Sequence, residues 1–290
     1  MGRAKIARIA SVLLLTLAGP FAAQGQNLPQ VQLTEGHGSL RALNTGTEVQ
    51  LWRAVGRLDT GASFCTATLI RADLVLTAAH CVFHPTTARP FAASDLTFLA
   101  GLRHGHAEAV RNVRRITVLP EYQPEHGPDF EMIGRDLALL HLAAPIPHAA
   151  IAPILPASTP WREDRVTVVS YGRDREGYAS IEEGCEILNR QESVRSMNCE
   201  VVSGVSGSPV LRVNQGRAEL VAVISAGAQT SSGEVSLAVM VEDHLTTLMA
   251  QASAEPAQPV ARSPIGGASS SFILDGADAR ENIGARFIRP

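Results

Sequence analysis

The sequence predicts an all-β protein in two halves, followed by a C-terminal helix and tail. Short runs rich in β-branched and other apolar residues alternate with turn residues between about residues 40 and 250, and no amphipathic helix is evident before residue 241. Many short strands without intervening helices favour antiparallel barrels or sandwiches over a parallel α/β sheet. A proline-rich connector at residues 144–160 separates the halves, because proline fixes φ and lacks an amide donor. We therefore expect units over residues 36–150 and 151–250.

The candidate strands are apolar runs bounded by turn residues. The clearest lie at residues 65–70, 74–77, 110–118, 137–142, 165–171, 208–213 and 219–224. Residues 241–251 then predict a helix, with Leu245, Leu248 and Met249 on one face and two acidic residues near its start. Residues 252–271 have linker composition, so residues 251–290 are expected to be a flexible linker and tail, although residues 272–290 could also pack back on a barrel.

The N-terminal 25 residues predict a signal peptide. Basic residues at positions 3, 5 and 8 precede an apolar run over residues 9–18, and small residues follow at positions 22, 23 and 25. That order is typical of a secretory signal, and the run is short for a membrane span, although a retained anchor is the alternative. We expect a secreted or periplasmic protein with no membrane contact in its mature form.

Composition narrows the class of partner. The chain has 290 residues, of which 45% are hydrophobic and 18% charged, so it can bury a sizeable core. Its formal net charge of -3 leaves no basic surplus to neutralise a nucleic acid, so none is expected as a partner. The sequence contains no H-E-x-x-H, P-loop or dinucleotide-binding glycine motif, and we expect no cofactor and no metal.

The four cysteines favour two disulfides, since an even number in an exported chain commonly forms bridges. Loop-closure entropy favours neighbours, Cys65 with Cys81 and Cys185 with Cys199, among three possible pairings. A tetrahedral zinc site is the alternative, but no C-x-x-C spacing supports it.

Three segments carry residues suited to acyl transfer. His80 follows small residues in TAAHC at 77–81, Asp136 precedes an apolar strand in RDLALLHL at 135–142, and Ser206 lies between glycines in GVSGSPV at 204–210. Taken alone, the histidine is most simply a surface residue, the aspartate a turn residue and the glycine-flanked serine part of a tight turn. Together they supply a weak nucleophile, a base to take its proton and a carboxylate to hold the base in the required tautomer.

The order His, Asp, Ser and these three motifs resemble the trypsin/chymotrypsin-like serine protease family over about residues 36–250, in particular its bacterial trypsin-like and glutamyl-endopeptidase-like branch. The resemblance implies two antiparallel six-stranded β-barrels with the active site between them. It also implies that Ser206 is the nucleophile, His80 the base and Asp136 its orienting partner, with the backbone N–H groups of Gly204 and Ser206 as the oxyanion hole. The Cys65–Cys81 pairing matches the family's disulfide beside the histidine.

The resemblance further implies a peptide-binding region. Glu200, six residues before the nucleophile, would lie at the base of the primary pocket, where a carboxylate favours Lys or Arg. Ser225 and Gly227 match the strand that pairs with extended substrate. Ile224 replaces the histidine of glutamyl-specific members, so glutamate preference is not supported, and Val205 replaces the aspartate used in zymogen activation of animal trypsins.

The sequence thus predicts a secreted, monomeric serine endopeptidase acting on proteins or peptides. The alternatives are a catalytically inactive binding module that keeps the fold and an esterase that uses the same triad.

Overall fold

The computed structural model describes residues 40–124, 128–214, 216–230 and 233–254, and the backbone of residues 285–287. The predicted signal peptide and most of the predicted tail lie outside these residues. The described strands are β1 (Arg41–Ala42), β2 (Val55–Asp59), β3 (Phe64–Arg71), β4 (Leu74–Thr77), β5 (Thr97–Ala100), β6 (Ala109–Val118), β7 (Ala138–Leu142), β8 (Arg165–Ser170), β9 (Ser180–Gln191), β10 (Val194–Met197), β11 (Pro209–Asn214), β12 (Arg217–Thr230), β13 (Gly233–Met240) and β14 (Ala285–Phe287). The helices are α1 (Gly46–Trp52), α2 (Phe130–Ile133) and α3 (Leu245–Ala254), with 3₁₀ turns at Ala79–Val82 and Ala93–Asp95.

The first barrel is a closed antiparallel sheet in the order β2-β3-β4-β7-β6-β5. Its strands bury leucines on the inside, including Leu58, Leu69, Leu76 and Leu140, all of which have no exposed area. β4 and β7 consist entirely of buried residues, which explains why both appear in the sequence as continuous apolar runs instead of alternating ones.

The second barrel follows the order β8-β9-β10-β13-β12-β11, and the pairing of β11 with β8 closes it. Two short strands extend this sheet, because β1 pairs with β9 and β14 pairs with β12. The predicted fold of two six-stranded antiparallel barrels is therefore confirmed. The strand β14 also means that part of the C-terminal segment packs on a barrel, which is one of the two arrangements that the sequence left open.

All three helices differ from the sequence prediction, which includes neither α1 nor the four-residue α2. Helix α1 was not expected, yet Thr45 and Glu48 form a reciprocal capping box at its start, and this T-x-x-E spacing is the signal that could have revealed it. Helix α3 begins at Leu245 and not at Val241. The reason is that the N–H of Val241 still donates to Val221 O of β12, at 3.1 Å, so the chain is held by the sheet for longer than its helical pattern suggests.

The two barrels are joined by a continuous buried cluster and by a few polar contacts. The Thr66 hydroxyl donates to Gly204 O at 2.9 Å and accepts from the Tyr171 N–H at 2.9 Å. Tyr171 in turn donates its phenol hydrogen to Leu102 O at 2.9 Å, and burial raises the pKa of this phenol. These bonds fix β3 of the first barrel against two loops of the second, at the border where the predicted functional residues lie.

Candidate active site

The predicted base and its carboxylate are in direct contact. His80 lies in the 3₁₀ turn that follows β4, and Asp136 immediately precedes Leu137 and β7, so the pairing of β4 with β7 brings the two residues together. His80 Nδ1 is 2.7 Å from Asp136 Oδ2, and the His80 backbone N–H donates to Asp136 Oδ1 at 2.7 Å. With the Nδ1 proton donated to the carboxylate, Nε2 is the nitrogen that can accept a proton.

Asp136 is completely buried, and its charge is compensated by hydrogen bonds. The Ser225 hydroxyl donates to Asp136 Oδ2 at 2.5 Å, in addition to the two bonds from His80. Ser225 belongs to β12 of the second barrel, so the carboxylate of the first barrel is bound from both sides of the interface. The sequence predicts Ser225 as a substrate-binding residue and gives no sign of this contact with Asp136.

The loop that carries Ser206 is held between the barrels by backbone contacts. Ser206 O accepts from the Thr66 N–H of β3 at 2.8 Å, and the Gly207 N–H donates to Ile224 O of β12 at 2.8 Å. Ser206 itself is buried. A Cβ at Gly207 would lie 2.2 Å from Thr77 Oγ1, so the loop packs directly on the segment that leads into His80.

Glycine is required on both sides of Ser206. Gly204 has φ +94° and Gly207 has φ +81°, which L-residues rarely adopt. A Cβ at Gly204 would lie 2.2 Å from the Phe64 ring. The loop can therefore approach β3 closely only because both residues lack side chains.

A disulfide supports the base. Cys65 of β3 and Cys81, which follows His80, are bonded to each other, and Cys185 is bonded to Cys199, which are the two pairings that the sequence predicts. The clusters of potential metal ligands among the described residues contain these sulfurs together with His80 or Glu182. A sulfur in a disulfide is not a thiolate ligand, so these clusters do not support a metal site.

The predicted pocket residue Glu200 is bound by a cation that no sequence motif indicates. Arg175 Nη2 is 2.6 Å from Glu200 Oε2, and the Arg175 side chain is 7% exposed against 33% for Glu200. Arg175 also donates to Ser170 O at 2.7 Å and to Ser170 Oγ at 3.0 Å. The Glu200 N–H donates to Glu182 Oε2 at 2.8 Å, and burial raises the pKa of Glu182. No local motif links these residues.

Gly227, the other predicted substrate-binding residue, lies on β12 two residues after Ser225. A Cβ at this position would lie 2.3 Å from Val201 Cγ1, so the glycine makes room for the side chain of Val201. Val201 directly follows Glu200, which places the strand beside the segment expected to form the primary pocket.

Comparison with known proteins decides the family. Residues 44–246 match the family described as Trypsin. The chain belongs to the trypsin family. Membership of this family makes the protein a trypsin-like serine endopeptidase. A solved structure of a Glu endopeptidase in complex with MPD has a similar fold, with a TM-score of 0.62 and 18% sequence identity, over 77% of this chain and 100% of that chain.

One departure from the animal members of the trypsin family has a clear structural setting. Val205, which replaces their aspartate, is 1% exposed and packs in the apolar cluster of the second barrel with Trp161 and Val210. A carboxylate in that cluster would need a compensating charge to offset its desolvation.

Within the described part of the chain, no helix has both the length and the apolar character needed to cross a membrane.

Proposed function

We propose that this trypsin-family protein is an exported endopeptidase that hydrolyses peptide bonds through an acyl-enzyme on Ser206. The observation that carries the proposal is the 2.7 Å contact between His80 Nδ1 and the buried Asp136 Oδ2, beside the loop of Ser206. A carboxylate so placed holds the imidazole in the tautomer whose Nε2 accepts a proton, and it stabilises the imidazolium that results.

In the acylation step, Ser206 Oγ forms a bond to the peptide carbonyl carbon while its proton passes to His80 Nε2. The carbonyl oxygen becomes an oxyanion, for which we assign the backbone N–H groups of Gly204 and Ser206 as donors. The C–N bond then breaks, and the imidazolium gives its proton to the departing amine. Water attacks the ester by the same route and releases the acid, which restores the Ser206 hydroxyl.

The binding of an extended substrate is proposed for the segment of β12 that contains Ser225 and Gly227. A peptide added as a strand obtains main-chain hydrogen bonds that do not depend on its side chains. Because Ser225 also binds Asp136, at 2.5 Å, the same strand aligns the substrate and supports the carboxylate.

Export is supported by two features. The described cysteines are all in disulfides, which persist in oxidising compartments. The basic, apolar and small residues in the first 25 positions have the order of a secretory signal. N-terminal sequencing of the mature protein from culture medium and periplasm tests both export and the cleavage site.

Covalent labelling tests the proposed nucleophile. A fluorophosphonate probe should label the processed protein, and Ser206→Ala should abolish labelling while Ser94→Ala, an exposed serine outside the site, should leave it unchanged. Casein hydrolysis should require His80 as well. Absence of labelling on folded protein would indicate a binding module, and labelling with ester cleavage but no peptide cleavage would indicate an esterase.

A further inference from the structure

One edge of β12 lies next to the proposed active site. β12 pairs with β11 only as far as Val223, and beyond that point its edge is available to another strand. The Gly207 N–H donates to Ile224 O, so this edge begins directly beside the nucleophile loop. Residues 225–227 of the same edge are the proposed position of an extended substrate.

The described residues place a strand of the chain itself on that edge. β14 pairs with β12 in antiparallel register, with Ala226 opposite Phe287, Gly227 opposite Arg286 and Ala228 opposite Ala285. Thirty residues, 255–284, connect α3 to β14. Such a segment can extend to roughly 100 Å, so it is long enough for an intramolecular connection.

The direction of β14 matches that of the acyl half of a substrate. β12 runs away from the nucleophile loop between Ile224 and Ala228, so the antiparallel β14 runs toward it. A substrate must present the carbonyl of its cleaved bond to Ser206 after the residues that precede that bond. Residues 285–287 therefore run in the direction that those preceding residues would take, and they overlap the proposed substrate position at Ala226 and Gly227.

We infer that the C-terminal segment Ala285–Phe287 is an intramolecular ligand of the substrate edge and competes with peptide substrates. The inference rests on the proposed function of this edge. Because the segment belongs to the same chain, it binds intramolecularly, at an effective concentration set by the linker and not by the protein concentration, so even a weak strand interaction can compete with substrate. We expect removal of residues 285–290 to lower KM for peptide substrates about three- to tenfold and to leave kcat unchanged.

Two full-length variants distinguish an effect of the β14 strand from an effect of shortening the chain. Arg286→Pro removes a backbone donor opposite Gly227 and should lower KM like the truncation, because proline disfavours strand pairing. Ser270→Pro, outside β14, should behave like the parent protein. Equal KM values for the parent, the truncated form and Arg286→Pro, in protein with Ser206-dependent activity, would overturn the inference.

A binding experiment keeps this test independent of catalysis. In the Ser206→Ala background, a fluorescent peptide of residues 281–290 should bind the truncated protein at least threefold more tightly than the full chain. Equal affinities would overturn the inference even if the protein proves inactive. Loss of all Ser206-dependent hydrolysis with the affinity difference retained would instead refute the proposed function and keep the intramolecular ligand.

The contact between Arg175 and Glu200 is separate from the edge of β12. The guanidinium is 7% exposed and is held by Ser170 O and Ser170 Oγ, so it is a built-in counter-ion and not a surface side chain that can swing away. A Cβ at Gly172 would lie 2.8 Å from Arg175 Cζ, and the glycine therefore leaves room for the guanidinium.

The negative charge of Glu200 is thus already compensated by Arg175 before any substrate binds. A basic side chain entering the proposed pocket would meet a carboxylate bound to Arg175 at 2.6 Å, and its own charge would face that of the guanidinium. We propose that Arg175 is a positioning residue that removes the preference for Lys or Arg which Glu200 alone would create, so that the pocket does not favour basic over uncharged side chains. This inference also rests on the proposed function.

The test compares substrates that differ in charge at the residue before the cleaved bond. Arg175→Gln should raise kcat/KM for arginine over citrulline at least tenfold, and the double variant Arg175→Gln/Glu200→Gln should lose that gain. The parent enzyme should show a ratio within threefold. A parent preference for arginine above threefold, or an unchanged ratio in active Arg175→Gln, would overturn the inference. Absence of Ser206-dependent cleavage of every substrate would refute the proposed function instead.

Discussion

Replacement of Gly207 by alanine tests the requirement for close approach between the nucleophile loop and the first barrel. Two costs arise. The backbone at φ +81° is strained for any L-residue, by about 1–2 kcal/mol. In addition, the new Cβ would lie 2.1 Å from Thr66 O and 2.2 Å from Thr77 Oγ1, and overpacking of this kind costs roughly 1–3 kcal/mol.

Gly216 supplies a matched control, because it has φ +76° and no heavy atom within 4 Å of the position of a Cβ. Gly216→Ala should therefore show the conformational cost alone, about 1–2 kcal/mol, whereas Gly207→Ala should lose about 2–5 kcal/mol of the free energy of unfolding. For a chain of this size, each kcal/mol corresponds to roughly 2–4 °C in Tm.

Guanidinium unfolding monitored by tryptophan fluorescence measures the difference in free energy of unfolding between the two variants. Trp52 lies in the buried cluster that includes the core of the first barrel, and Trp161 lies in the apolar cluster of the second barrel, so both barrels are reported. At denaturant concentrations below the transition, fluorophosphonate should label Gly207→Ala at least about a hundredfold more slowly than the parent, because the added Cβ forces the loop of Ser206 away from Thr66. A hundredfold slower reaction corresponds to about 2.7 kcal/mol of lost transition-state stabilisation. Labelling of Gly216→Ala should be unchanged. Equal losses of stability in the two variants, or normal labelling of Gly207→Ala, would refute the close-packing explanation.

Three further predictions concern the site and its support. Ser225→Ala removes the 2.5 Å hydrogen bond to Asp136 and should lower kcat roughly tenfold with little change in KM in steady-state assays, while an unchanged kcat would exclude a supporting role. Replacement of both Cys65 and Cys81 by serine opens a loop of 16 residues and should cost about 3 kcal/mol in denaturant titrations; a loss below about 1 kcal/mol would contradict this. Burial and neighbouring arginines lower the pKa of His141 to about 4 from its ordinary 6.5, so the unfolded chain takes up this proton first. Stability should therefore fall as the pH decreases from about 7 to 4, and His141→Gln should flatten that slope; identical slopes would reject the assignment.

Much of the fold could be predicted because its strands are short, apolar and bounded by turn residues. Strand β4 at Leu74–Thr77 has the predicted bounds, and β11 begins one residue later than predicted. Helix α1 was missed because seven residues are too few for an apolar period to stand out, although its capping box was visible in the sequence. The start of α3 was wrong because sheet contacts of Val241 override the local helical pattern.

Some residues of the candidate site could be predicted from the sequence and others could not. His80, Asp136 and Ser206 could be singled out because their segments have characteristic neighbours and a characteristic order. Arg175 could not, since it is 25 residues from Glu200 and no local pattern links the two. The hydrogen bond from Ser225 to Asp136 spans 89 residues and was equally invisible.

The sequence by itself determined the all-β character, the family resemblance and the identity of the three candidate catalytic residues, because these depend on local composition and on the order of short motifs. Only the tertiary structure decided what surrounds them: the carboxylate bound from both barrels, the cation on Glu200 and the C-terminal strand on the edge of β12. Such contacts join segments far apart in the chain, and burial and backbone pairing in the folded barrels set their energies.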